Sequence, residues 1–233
     1  MARPRQQAEP FELYHPATGC MKCPALVRDR HTVVWGAGPE HSDIAIIGEA
    51  PGFNEDQQGL PFVGASGREA GKMLWEASGG TVGWIDVAKR NRLMCRPPGN
   101  RDPEPQEMMN CEPWLWENLR MVNPKIIICL GKYSQSLFFG GYDDLRQVHE
   151  VEGLMYRQVC FRCGGMDAQH QNRLATGGEW VDQGTIRCAT TPRVLIAAIY
   201  HPAAAMRRAD LRPRIVEQLR RAIDELHVMQ RGG

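Results

Sequence analysis

The sequence has no apolar run near the ~18 residues that a membrane-spanning helix needs, so no membrane association is expected. Its first ten residues, Met1 to Pro10, are polar and contain no apolar signal core, which points to an intracellular protein. Neither sign of charge dominates: the formal net charge is +1, and total charge therefore selects no partner. No internal repeat or low-complexity tract is present. Phosphate-binding fingerprints are also missing. The segment Gly48-Glu49-Ala50-Pro51-Gly52 is neither a P-loop nor a dinucleotide motif, which argues against a nucleotide-binding protein.

What is present suits one α/β domain. The 233 residues are enough for a sizeable core, and 42% hydrophobic with 24% charged residues is an ordinary globular balance. Four short apolar runs read as buried strands: Asp43–Gly48, Trp84–Ala88, Lys125–Leu130 and Arg193–Tyr200. Helical patterns lie between and after them, at Ser66–Ala77, Glu104–Val122, Ser134–Phe139 and Leu211–Met229. Alternating strands and helices predict a three-layer α/β/α sandwich around a central four-stranded parallel sheet. Ligands bind such sheets beyond the carboxyl ends of the strands. Glu49, Asn91 and His201 are expected there. Residues 1–17 read as a tail and 18–233 as one domain. An insertion is expected at about 157–192, where the chain is polar, glycine-rich and without a long apolar period.

Basic residues crowd two stretches. One holds Lys89, Arg90, Arg92, Arg96 and Arg101; the other holds Arg207, Arg208, Arg212, Arg214, Arg220 and Arg221. Such patches can bind phosphate, although solvated faces are the plainer reading.

Eight cysteines in an intracellular chain suggest metal or cluster ligation rather than disulfides. Cys20 and Cys23 form a C-x2-C pair, and fifteen residues separate Cys95 from Cys111. Four thiolates from two distant pairs suit either zinc or a 4Fe–4S cluster. A second C-x2-C, Cys160 and Cys163, with His170 and Cys188 downstream, offers a possible zinc site within the insertion. Cys129 lies inside an apolar strand and reads as core.

Several ordered motifs carry a resemblance. Gly48-Glu49-Ala50-Pro51-Gly52, then Glu55-Asp56, then Gly59-Leu60-Pro61-Phe62-Val63-Gly64 form the first. Asn91, four residues before Cys95-Arg96-Pro97-Pro98, forms the second, and His201-Pro202-Ala203 the third. With Cys20, Cys23 and Cys111 at matching spacing, the chain resembles the family 4 (iron–sulfur) uracil-DNA glycosylases over about residues 18–156 and 193–228. The resemblance decides for a 4Fe–4S cluster on Cys20, Cys23, Cys95 and Cys111. It implies a monomeric repair enzyme that flips uracil out of single- or double-stranded DNA and hydrolyses its glycosidic bond.

The chemistry needs residues of these types. Phe62 can floor a pocket for the flipped base, and base–aromatic stacking contributes roughly 1–3 kcal/mol. The Asn91 carboxamide can donate to uracil O4 and accept from N3–H; cytosine presents the opposite pattern. His201 can donate to the base O2 as negative charge develops there. Glu49 and Glu55 are the acidic candidates for orienting water and stabilising a cationic sugar. Ala50 and Gly52 belong to the same substrate-binding loop. Ala50 stands where family 1 enzymes carry a water-activating Asp. Met206 is a candidate minor-groove wedge, and Arg207 a phosphate contact. The segment Gly64 to Lys72 lacks the long basic insertion of cross-linking relatives, so turnover is expected. Phe53 and the insertion depart from the family. They leave open a glycosylase for a different or modified pyrimidine, or a non-catalytic iron–sulfur DNA-binding adaptor.

Overall fold

The fold is that of a computed structural model, which describes residues 16–139, 153–158 and 193–231. In chain order the elements are α1 (Pro24–Asp29), β1 (Ile44–Gly48), α2 (Phe53–Gln58), α3 (Ala65–Ala77), β2 (Ala88–Asn91) and α4 (Pro105–Val122). They continue with β3 (Ile126–Leu130), α5 (Lys132–Phe139), β4 (Gly153–Gln158), β5 (Arg193–Ile199), α6 (Pro202–Arg207) and α7 (Leu211–Arg231).

The sheet order is β2-β1-β3-β5-β4. The first four strands in that order run parallel, as expected. Alternate strand residues serve opposite faces, because successive side chains of a strand point opposite ways. Ala45, Ile47, Ile127, Cys129 and Ile196 pack with Leu115 and Leu119 of α4 and with Leu137 and Phe138 of α5. Ile44, Ile46, Ile126, Ile128 and Leu195 pack with Met73 and Leu74 of α3 and with Leu219 and Ile223 of α7. The two helical layers and the buried Cys129 agree with the sequence reading.

Two features of the sheet differ from it. A fifth strand, β4, pairs antiparallel with β5 at the sheet edge. The second parallel strand is Ala88–Asn91, not Trp84–Ala88. That strand is at the opposite edge of the sheet, where polar residues are tolerated. Its cations are nonetheless buried, because their polar ends find partners. Lys89 Nζ donates to the carbonyls of Trp84 (2.7 Å) and Val87 (3.1 Å). Arg90 hydrogen-bonds Asn118 and the carbonyl of Ala37. Apolar content alone therefore places this strand too early, with only Ala88 common to both spans.

The shift matters for the site. Asn91 ends β2 in register with Gly48, the last residue of β1. The ladder continues beyond both, with Arg92 N–H donating to the Gly48 carbonyl and Leu93 N–H to that of Glu49, each at 2.9 Å. Glu49 and Asn91 are thus held by the sheet itself. No helix among the described residues is long and apolar enough to cross a membrane.

Candidate active site

A cavity of about 360 Å³ opens at the carboxyl ends of β1, β2 and β5. Glu49, Ala50, Phe62, Asn91, His201 and Arg207 line it, together with Gly48, Ser66, Asn100, Asp102 and Ala203. The structure therefore brings most of the predicted site residues to one place. Glu55, Gly52 and Met206 are not in its lining.

Gly48 shows how closely the wall is built. A Cβ there would lie 2.6 Å from Asn91 Oδ1 and 2.7 Å from Phe62 Cζ. The carboxamide and the ring meet over a residue that has no side chain. Phe62 itself takes a left-handed backbone, φ 61°, which is rare for a bulky residue and costs about 1–3 kcal/mol. Two contacts hold it. Its carbonyl would be only 2.1 Å from a Cβ at Gly67, so α3 presses directly on this turn. Its ring stands edge-on to Trp84, with centroids 5.6 Å apart.

Glu55 works behind the wall. Its Oε1 accepts the Gly64 N–H at 2.6 Å, and its Oε2 would lie 2.9 Å from a Cβ on Gly52. This buried carboxylate ties the loop before α2 to the start of α3. Its neighbour Asp56 is also buried and accepts the N–H groups of His31 and Thr32. Both acids of the Glu55-Asp56 pair hold loops in place.

His201 caps α6, with Nδ1 accepting the Ala203 N–H at 3.2 Å. An accepting Nδ1 carries no proton, so the neutral ring carries its proton on Nε2. Burial, helped by Arg207, lowers the His201 pKa to about 4. The ring is therefore a neutral donor at ordinary pH. Gly131, after β3, lets it sit close, since a Cβ there would be 2.9 Å from the His201 Cβ.

Glu49 is driven the other way. Burial and the charge of Asp102 raise its pKa to about 7, against the opposing pull of Lys132 and Arg207. Asp102 sits 3.6 Å from Lys132. Sequence reasoning did not single out Asp102, Asn100 or Ser66. The signal for the first two was their place directly after Cys95-Arg96-Pro97-Pro98-Gly99.

Six arginines of the two basic stretches pair with carboxylates. Arg92 is fully buried and pairs with Glu112, and Arg101 pairs with Glu107. Arg208 pairs with Asp210, Arg212 with Glu69 and Glu76, and Arg220 and Arg221 with Glu217. Arg207 keeps its place at the cavity. Met206 is 55% exposed on the short helix α6, which is separate from the last helix.

Cys20, Cys23, Cys95 and Cys111 gather beside α4 closely enough to influence one another's ionisation. N–H groups point at three of the sulfurs: Arg30 Nη1 to Cys95 (3.0 Å), Met94 N to Cys111 (3.3 Å) and Asn110 Nδ2 to Cys23 (3.5 Å). Arg30 also donates to the Cys20 carbonyl at 2.7 Å, bracing both pairs. Among the described residues, no three His, Cys, Asp or Glu side chains converge tightly enough for a single metal ion. Four cysteine thiols, three of them met by N–H groups, form a donor set that a 4Fe–4S cluster can use, since such clusters are held by cysteine thiolates and tuned by hydrogen bonds to sulfur. Cys160, Cys163, His170 and Cys188 lie outside the described residues.

Residues 35–226 match the model of the uracil DNA glycosylase superfamily. The chain is 35% identical over 194 residues to the type-4 uracil-DNA glycosylase of Archaeoglobus fulgidus, covering 83% of this chain and 81% of that one. It is 32% identical over 208 residues to the type-4 uracil-DNA glycosylase of Saccharolobus solfataricus, covering 89% and 82%. This chain belongs to the type-4 uracil-DNA glycosylase family. The type-5 uracil-DNA glycosylase of Pyrobaculum aerophilum is more distant, at 28% over 144 residues. The cavity of this type-4 chain lies where the three motifs converge: Glu49 follows β1, Asn91 ends β2, and His201 stands two residues beyond β5.

Proposed function

We propose that the protein excises uracil from DNA by hydrolysing the N-glycosidic bond, leaving an abasic site. The observation that carries the reading is the meeting of the Asn91 carboxamide and the Phe62 ring over Gly48, in a cavity that His201 also lines. Phe62 offers a face to the flipped base. Asn91 donates to O4 and accepts from N3–H, and cytosine would leave those buried groups mismatched, at about 1–3 kcal/mol each. The Nε2–H of neutral His201 donates to O2 as the departing base becomes an anion. A neutral donor shares the proton without giving it up, which suits a leaving group that exits as an anion.

Glu49 and Asp102 are the two carboxylates of the cavity. Ionised Glu49 stabilises the cationic sugar and holds the attacking water, while Asp102 adds negative potential at the rim. Glu55 acts as a positioning residue through Gly64. Arg207 contacts a phosphate, and Met206 fills the gap left in the stack. Cys20, Cys23, Cys95 and Cys111 hold a 4Fe–4S cluster that braces these loops; the reaction does not pass through it. Zinc on Cys160, Cys163, His170 and Cys188 would staple the insertion.

The test is base release from oligonucleotides carrying uracil, thymine, cytosine or 5-hydroxymethyluracil. Release of uracil, with cytosine left intact and no persistent protein–DNA band on a denaturing gel, is the expected result. A folded, iron-loaded protein that leaves uracil in place would overturn the reading.

The pH profile follows from Glu49. Its carboxyl releases its proton at about 7 rather than the ordinary 4.5. The rate should rise about tenfold per pH unit below 7 and level off above it. Glu49→Gln should lose that limb and run about 100-fold slower at pH 8. Stability moves the other way. The unfolded chain releases this proton at lower pH than the folded one, so folding weakens as pH rises from about 4.5 to 7. Glu49→Gln should therefore melt higher than the wild type at pH 8, and the two curves should converge below about pH 4.5. A Glu49→Gln rate that keeps the wild-type limb would remove Glu49 from the role.

A further inference from the structure

We propose that Phe53 and Arg96 form a stacking platform for an unstacked base of single-stranded DNA next to the excised nucleotide, an inference that rests on the DNA-acting reading above. Phe53 opens α2 and is 56% exposed, an unusual state for so large an apolar ring. The Arg96 guanidinium lies over that ring, 5.1 Å from its centroid. On its other side, Arg96 Nε donates to Asn100 Oδ1 at 2.7 Å. Asn100 lines the cavity, as does Ala50, three residues before Phe53. The ring and the guanidinium are thus joined to the cavity wall at both ends and sit on its rim.

The chemistry of this pair fits one kind of partner. Arg92, Arg101, Arg208 and Arg212 are all paired with carboxylates. Among the described residues Arg96 has no carboxylate partner, so its charge is available to a phosphate. The guanidinium covers one face of Phe53, and much of the ring stays open to water. Every base has a π-face, so an exposed aromatic beside a cation accepts any sequence. In a duplex the neighbouring bases remain stacked and paired, and they offer no free face. In a single strand they do. The platform therefore reads strandedness, and it adds affinity only for DNA whose bases are free to turn.

The experiment is equilibrium binding of the iron-loaded protein to fluorescent oligonucleotides without uracil, single-stranded and duplex, at fixed salt. Phe53→Ala should weaken single-strand binding about tenfold and change duplex binding less than twofold. Phe53→Trp should restore single-strand affinity. Equal losses on both forms, or no loss on the single strand, would overturn the proposal. The oligonucleotides lack uracil, so the result does not depend on catalysis. A wild type that binds single strands through Phe53 yet releases no uracil would sink the excision reading and keep the platform. Uracil release with unchanged single-strand affinity in Phe53→Ala would do the reverse.

Discussion

Replacing His201 with Ala should slow uracil release about 100- to 1000-fold, with little change in KM. One charge-directed donor contributes about that much to a transition state in which the leaving group becomes anionic. The ground-state base carries far less charge on O2, so binding should be affected much less than chemistry. The geometry also sets the shape of the loss. The histidine is held with Nδ1 accepting from Ala203 and with a pKa near 4, so it stays neutral across the working range. The deficit should therefore be uniform from about pH 5 to 9, leaving the Glu49 midpoint in place. A positively charged histidine acting as a full acid would behave differently, since its removal would abolish an alkaline limb. His201 also titrates on folding. Its folded pKa lies below the ordinary 6.5, so the unfolded chain takes up the proton first. Stability present above about pH 6.5 should fall as pH drops toward 4. His201→Ala should lose that dependence along with the α6 cap, at about 1 kcal/mol. Single-turnover rates over pH, with melting curves beside them, check both halves. A loss confined to KM would remove His201 from the leaving-group role.

Replacing Cys111 with Ser should have the largest effect on stability. Cys111 is buried, and burial pushes its thiol up to about 12, so an unligated thiolate would not form there. Metal charge would replace the proton and offset the cost of burying the anion. The Cys111→Ser variant should contain well under the four irons per chain expected of the wild type with its proposed cluster, and lose more than about 4 kcal/mol of stability. Cys129 is the control. It is fully buried in β3 and packs in the core, so Cys129→Ala should keep its iron and lose only about 1–2 kcal/mol. Iron analysis of anaerobically purified protein decides the point, and stoichiometric zinc in the same sample would report on Cys160, Cys163, His170 and Cys188. Full iron content in Cys111→Ser would refute its place as a ligand.

Both predictions depend on residues distant in sequence. The apolar runs at 43–48, 125–130 and 193–200 were enough to place three parallel strands, because burial on both faces leaves a continuous apolar signature. The edge strand broke that rule. Lys89 and Arg90 are buried by hydrogen bonds to backbone and to Asn118, and no local pattern announces such partners. The motif residues Glu49, Asn91 and His201 were legible because each stands at, or within two residues of, the carboxyl end of a parallel strand, where the loops must converge.

The sequence by itself determined the layered α/β frame, the core position of Cys129 and the end of the sheet at which the candidate residues gather. Those follow from periodicity and strand order, which are properties of the chain read in one dimension. Only the tertiary structure decided what the polar groups do. It turned Glu55 toward Gly64 and away from the cavity lining, brought in Asp102 beside Glu49, and paired six arginines of the basic stretches with carboxylates. It also chose the proton-bearing nitrogen of His201. A hydrogen bond is set by where its partner lies in space, and these partners stand from two to 143 residues away along the chain.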